Sequence, residues 1–176
     1  MLAKVIIING YPRSGKDTVV AMAEDMLAEE VHNVSTVDKV KEAAKALGWN
    51  GEKSAAWRNF LHELKMLWTR EFEGPLTYIN NSARELVTMP GLHVMFVHSR
   101  EIEEIKRFRL LFTNAGIDCV TLLVKRDGLE AFDNDADANV ENGRYDHIIA
   151  NENSENWKSA LTEKVRDFLN KIGLEA

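Results

Sequence analysis

Val5-Ile6-Ile7-Ile8-Asn9-Gly10-Tyr11-Pro12-Arg13-Ser14-Gly15-Lys16-Asp17-Thr18 is the most informative stretch of the chain. Four β-branched residues in a row read as a strand buried on both faces, the form that a parallel sheet requires. A loop bounded by Gly10 and Gly15 follows, and then a helix-period segment from about Lys16 to Glu30. The spacing is G-x-x-x-x-G-K. Glycines let the backbone curl without Cβ clashes, so successive N–H groups can point into a phosphate-sized hollow. The helix N-terminus adds its positive dipole end. Lys16 is then placed to reach the β- and γ-phosphates of a nucleotide. Gly10, Arg13, Ser14, Gly15, Lys16, Asp17 and Thr18 are the candidate nucleotide contacts, and the ligands expected are ATP and Mg2+. The hydroxyl that usually follows the lysine as a magnesium ligand is displaced by one residue, because Asp17 intervenes before Thr18. Asp17 and Thr18 are the candidate metal ligands, directly or through water.

Outward from this loop, apolar runs alternate with helix-period segments, the pattern of an α/β fold with a mainly parallel sheet. A second strand covers Val31 to Val37, and Asp38 caps a helix ending near Gly48. From Ser54, residues Trp57, Phe60, Leu61, Leu64, Leu67 and Trp68 fall on one helical face, beside a polar stripe of Arg58, His62, Lys65 and Thr69. Gly74-Pro75 breaks the chain, and a shorter helix includes Tyr78 to Val87. Val94 to Val97 is the third strand, a helix runs from Glu101 to about Asn114, and Cys119 to Val124 is the fourth strand, ending at Lys125-Arg126. Residues 127–144 are acidic, rich in Asn and Asp and without apolar periodicity, which reads as a loop or lid. Tyr145 to Ala150 is a fifth strand, and Ser154 to Ile172 a final amphipathic helix with Trp157, Leu161, Val165, Phe168 and Leu169 inward.

The chain has 176 residues, 45% of them apolar, enough for one domain (1–176) and too few for two. Its 22 basic and 28 acidic side chains are mixed along the sequence and leave a net charge of −6. That excludes a sequence-independent binder of a nucleic-acid polymer, though not a small anion held by local cations. One cysteine, Cys119, forms no internal disulfide and points to a reducing, cytoplasmic setting. No apolar run approaches the span of a bilayer, and the stretch before Asn9-Gly10 is too short for a secretory leader, so no membrane association is expected. The five histidines show no metal-ligand spacing in sequence. Oligomeric state is left open.

The run Gly-x-x-Arg-Ser-Gly-Lys-Asp-Thr resembles the phosphate loop of bacteriophage deoxynucleoside monophosphate kinases, and is similar to the Gly-Lys-Gly-Thr loop of adenylate kinases with Asp17 replacing a glycine. Two later landmarks resemble the same group: Val97-His98-Ser99-Arg100 at a strand end, and Tyr145-Asp146-His147-Ile148-Ile149-Ala150-Asn151 before the last helix. The resemblance implies a three-layer α/β/α P-loop NTPase fold with a five-stranded sheet in the order 2-3-1-4-5. It also implies an acceptor-binding region after strand two, at about 38–90, and a lid after strand four, at about 127–144. Such kinases often carry an acidic residue just before the strand-end arginine. This chain has His98 and Ser99 there, leaving Asp17, Asp38 and Glu101 as candidate acidic partners.

Arg100 stands where the third strand delivers its C-terminal end, beside which ligands bind in open α/β sheets, and a guanidinium can hold two phosphoryl oxygens at once. Arg58, Lys65 and Asp38, with Ser35 and Lys41 nearby, lie in the region the resemblance gives to the acceptor. Arg126 and Arg144 bracket the acidic segment, and Lys16, Arg100 and Arg126 are the candidate catalytic cations. The expected activity is transfer of the γ-phosphoryl group of ATP to a small-molecule acceptor, foremost a nucleoside or deoxynucleoside monophosphate. The alternatives are a kinase of another small phosphorylated metabolite and a protein that binds nucleotide without turning it over.

Overall fold

The computed structural model describes residues 2–126, 128 and 140–176. Five strands, β1 (Leu2–Asn9), β2 (Glu30–Ser35), β3 (His93–His98), β4 (Cys119–Arg126) and β5 (His147–Asn151), form one sheet in the order β2-β3-β1-β4-β5. Every pairing is parallel. Among the described residues the α-helices are α1 (Lys16–Met26), α2 (Asp38–Ala46), α3 (Ala55–Phe72), α4 (Gly74–Thr88), α5 (Ile102–Asn114) and α6 (Trp157–Lys171). Val5, Ile6, Ile7 and Ile8 are fully buried because the central strand is covered on both faces. Ile6 and Ile8 pack with Val19 and Ala23 of α1 and Leu161 and Val165 of α6. Val5 and Ile7 face the other way, onto Ile79 and Ala83 of α4 and Phe108 and Phe112 of α5. These two cores make the three-layer α/β/α arrangement, and it carries the C-terminal ends of all five strands to one edge.

Several boundaries differ from the sequence expectation. α1 stops at Met26 rather than near Glu30, because Glu30 is claimed by the sheet: its amide donates to the Leu92 carbonyl and it registers with His93. α4 starts at Gly74, with Pro75 in the first turn where its missing N–H costs nothing. The apolar stripe of α3 stays outside the two cores: Phe60 and Leu67 are exposed, Trp57, Leu61, Leu64 and Trp68 are half-buried, and the one residue of the helix that is buried is Lys65. Trp157, expected inward, is instead 39% exposed at the first turn of α6. Of the expected lid, 127 and 129–139 lie outside the described residues. Val140 is buried at the start of a single 3₁₀ turn. No helix among the described residues is long and apolar enough to cross a membrane.

Candidate functional site

The phosphate loop leaves the end of β1 through Asn9, whose buried side chain organises the turn. Its Oδ1 accepts the Gly10 amide at 2.7 Å, and its Nδ2 donates to the Tyr145 hydroxyl at 2.7 Å and to the Arg100 carbonyl at 3.3 Å. The Tyr145 hydroxyl in turn donates to the Val140 carbonyl at 2.8 Å. One asparagine thus ties the loop to Arg100, just past β3, and to Tyr145, just ahead of β5. At Gly10, φ is 150°, and a Cβ would stand 2.3 Å from the Val124 carbonyl oxygen. At Gly15, φ is 103°, and a Cβ would stand 2.5 Å from Asn151 Nδ2. Only glycine meets both demands at these two positions. Arg13 adopts a left-handed φ of 66°, a conformation that costs a non-glycine residue energy and clusters at ligand clamps.

Lys16 folds back over its own loop, its ammonium donating to the Gly10 carbonyl at 2.6 Å and the Tyr11 carbonyl at 2.8 Å. Asn151, at the end of β5, braces the loop from the far side through a 2.9 Å bond from Nδ2 to the Ser14 carbonyl. Two buried oxygens at this spot, Ser14 Oγ and Asn151 Oδ1, have no hydrogen-bond partner. A hollow of about 200 Å³ opens beside the start of α1, lined by Arg13, Gly15, Lys16, Asp17, Thr18, Arg126, Asn151 and Trp157. Arg126 is held at its rim by a 2.7 Å bond from Nε to Asn153 Oδ1. Three cations against one carboxylate make this a locally positive cleft on a chain of net charge −6.

Chains of solved structures match this fold over nearly its whole length. An APS kinase of Mycobacterium tuberculosis, in complex with AMPPNP and APS, matches at 16% identity with a TM-score of 0.55, covering 96% of each chain. A cysteine-to-alanine mutant of that enzyme matches at 17% with a TM-score of 0.53, covering 96% of this chain and 97% of the other. A protein of Chloroflexus aurantiacus described as a kinase matches at 15% with a TM-score of 0.55, covering 96% of each chain. The chain has a P-loop kinase-like fold. No protein-family model matches the sequence, and no curated protein matches it.

Within the P-loop kinase-like fold, His98 takes the position expected to hold an acid. Its Nδ1 is 4.0 Å from Asp17 Oδ1, and its Nε2 is buried without a partner. Burial pushes its imidazole down to about 4, against the opposing pull of the Asp17 carboxylate, so it is neutral at pH 7. Asp17 itself projects into solvent, its side chain 95% exposed, with Thr18 beside it. These are hard oxygen donors of the kind magnesium takes, usually with several waters retained.

The expected acceptor residues do not all converge. Lys65 reaches across from α3 to the start of α5, where its ammonium sits 2.6 Å from Glu101 Oε1 and 3.2 Å from Glu104 Oε1. Glu104 is further fixed by the Ser99 hydroxyl, which donates to Oε2 at 2.6 Å. Lys65 is therefore held at the N-terminus of α5, its charge neutralised by two carboxylates. Arg100 is exposed directly after β3, and Arg58 is exposed on the first turns of α3. Asp38 turns its Oδ2 onto the Ser35 amide at 2.7 Å, capping the β2–α2 turn. Arg144 is exposed and does not line the hollow. Asn9, Asn151, Asn153 and Trp157 contribute to the site without having been singled out in the sequence as site residues. Asn151 closes a quoted landmark, while Trp157 follows the helical spacing of core residues and so gave no separate signal.

Proposed function

We propose that the protein is a magnesium- and ATP-dependent kinase that transfers the γ-phosphoryl group to a small phosphorylated acceptor, foremost a nucleoside or deoxynucleoside monophosphate. The observation that carries this reading is the ring formed by Arg13, Lys16 and Arg126 around the hollow at the N-terminus of α1. Phosphoryl transfer depends on positioning and charge neutralisation more than on covalent chemistry. Nucleotide phosphates take the place of the Gly10 and Tyr11 carbonyls as acceptors for the Lys16 ammonium, and the α1 N-terminus adds its dipole. Arg126 closes the other side. Magnesium supplies charge compensation at the phosphates, and Asp17 and Thr18 would hold it, directly or through water. A monophosphate acceptor needs no strong general base, which accords with the neutral His98 at the strand end. Arg100 and Arg58 meet the acceptor phosphate, with Asp38 at the edge of its pocket. Lys65 joins them only by exchanging Glu101 and Glu104 for phosphate oxygens. The setting is the reducing cytoplasm, in keeping with a lone Cys119 whose thiol burial pushes up to about 12.

A second reading, a kinase of a different small phosphorylated metabolite, is favoured by the APS kinase that shares this fold. ADP formation measured with ATP and Mg2+, against a panel of nucleoside monophosphates and APS, separates the two. At least one monophosphate is expected to stimulate ADP formation, and Lys16→Ala to lower that rate by about 100-fold or more. Stimulation by APS alone would establish the second reading. Tight ATP binding with no turnover against any acceptor would make the protein a nucleotide sensor, and unchanged turnover in Lys16→Ala would remove the site altogether.

A further inference from the structure

At the end of the sheet opposite the phosphate loop, three ligand-type side chains converge. Glu30 and His32 are two residues apart on β2 and so project from one face, and Glu30 is the register partner of His93 on β3. His32 Nε2 lies 3.0 Å from His93 Nδ1. The Glu30 carboxylate faces both rings, with Oε1 3.8 Å from His32 Nε2 and Oε2 3.6 Å from His93 Nδ1. Among the described residues, these three place one ligand atom each within 4.8 Å of one another.

The hydrogen bonding fixes which nitrogen can act. His93 Nε2 is 2.9 Å from the Pro90 carbonyl, and a carbonyl only accepts, so Nε2 carries the proton. That tautomer turns the Nδ1 lone pair toward His32 and Glu30. A backbone carbonyl on the remote nitrogen is also the partner that orients metal-bound imidazoles. His93 is 2% exposed and held in place, whereas Glu30 stands in solvent at the rim and leaves an approach. Bonds of about 2.0–2.1 Å at tetrahedral angles set donor atoms about 3.3 Å apart, and the observed 3.0 to 3.8 Å brackets that value. A plain histidine–histidine hydrogen bond would need no carboxylate, yet both Glu30 oxygens face the pair.

We propose that Glu30, His32 and His93 form a binding site for a zinc-class divalent transition-metal ion, with water as the fourth ligand. Two imidazoles and one carboxylate suit Zn2+, Co2+, Ni2+ or Cu2+ rather than the all-oxygen cations. The ion would pin β2, the outermost strand on this side of the sheet, to β3.

The test uses the full chain, stripped with a chelator and titrated with Zn2+ alone against a chromophoric competitor. One ion per chain is expected, with a rise in melting temperature, and Co2+ alone should give the visible bands of a four-coordinate site. His32→Ala should weaken Zn2+ binding by about 100-fold and abolish the thermal shift, and Glu30→Gln should weaken it by at least about tenfold. His62→Ala and His147→Ala, away from the cluster, should leave it intact. Both rim substitutions avoid the buried His93, whose removal endangers folding. No binding by the unaltered chain, or equal affinity in His32→Ala, overturns the site, and an unaffected Glu30→Gln overturns the three-ligand set.

Discussion

His98 shows how one residue converts position into charge state. It ends β3 beside the phosphate loop, and its burial outweighs the nearby Asp17 carboxylate, so the folded imidazole resists protonation down to about 4. The unfolded chain takes up that proton near pH 6.5. Between those values the unfolded state binds more protons, so stability falls as pH is lowered from about 6.5 and the full loss is reached below about 4. The wild-type protein is expected to lose about 3 kcal/mol more than a His98→Asn variant between pH 7 and pH 4. Urea unfolding at both pH values measures the difference, and parallel losses in the two proteins would contradict the neutral buried imidazole. Two residues further on, on the proposal that Arg100 meets the acceptor phosphate, Arg100→Ala should raise the acceptor Michaelis constant by about tenfold or more while ATP affinity stays within about twofold. Steady-state kinetics and a nucleotide titration read the two separately; loss of ATP binding would put Arg100 in the wrong half of the site. The residues of the loop were legible because Gly10, Gly15 and Lys16 declare themselves by local spacing. Asn151 and Asn153 were not, since their partners Ser14 and Arg126 are set by the packing of strands distant in sequence.

The corner between α3 and α4 marks where an element-level pattern was misread. The helical spacing of Trp57, Leu64, Trp68 and their neighbours predicts a helix, and one forms, but periodicity does not say which side faces the sheet. Lys65, on the stripe read as polar, takes the buried place because Glu101, at the N-cap of α5, and Glu104 meet its ammonium. Trp68 instead folds over Gly74, where a Cβ would fall 1.9 Å from its ring. Gly74→Ala should therefore force the indole out and lower stability by about 2 kcal/mol. An unchanged urea midpoint would show that the ring yields without cost. The strands were easier, since continuous apolar runs in β1, β3 and β4 follow from burial on both faces. β5 was placed two residues early, because Asp146 before it is turned aside to accept the Thr121 amide and hydroxyl, each at 2.9 Å. Those bonds and Arg109 hold the Asp146 carboxyl low although burial alone would raise it.

For the molecule as a whole, the class of fold was readable from the alternation of apolar runs and amphipathic segments, and the strand order from the resemblance carried by the loop. The convergence of His32 and His93 was not readable, because it depends on the register of β2 against β3, two strands remote in sequence. The same parallel architecture makes every strand pairing a contact between remote parts of the chain: Val5 pairs with Met95 on one side and with Cys119 on the other. A fragment of residues 1–118 lacks β4, β5 and α6, so one edge of β1 and the core of Ile6, Ile8 and Val19 lose their cover. Such a fragment is expected to show no cooperative unfolding transition, and a sharp melt would refute that expectation. For a chain emerging from the ribosome, the order of synthesis and the order of assembly are therefore reversed at the phosphate loop. It is made before Arg126, Asn151 and Trp157, which wall its hollow. A nascent chain therefore cannot close this hollow until the first turn of α6 has left the exit tunnel.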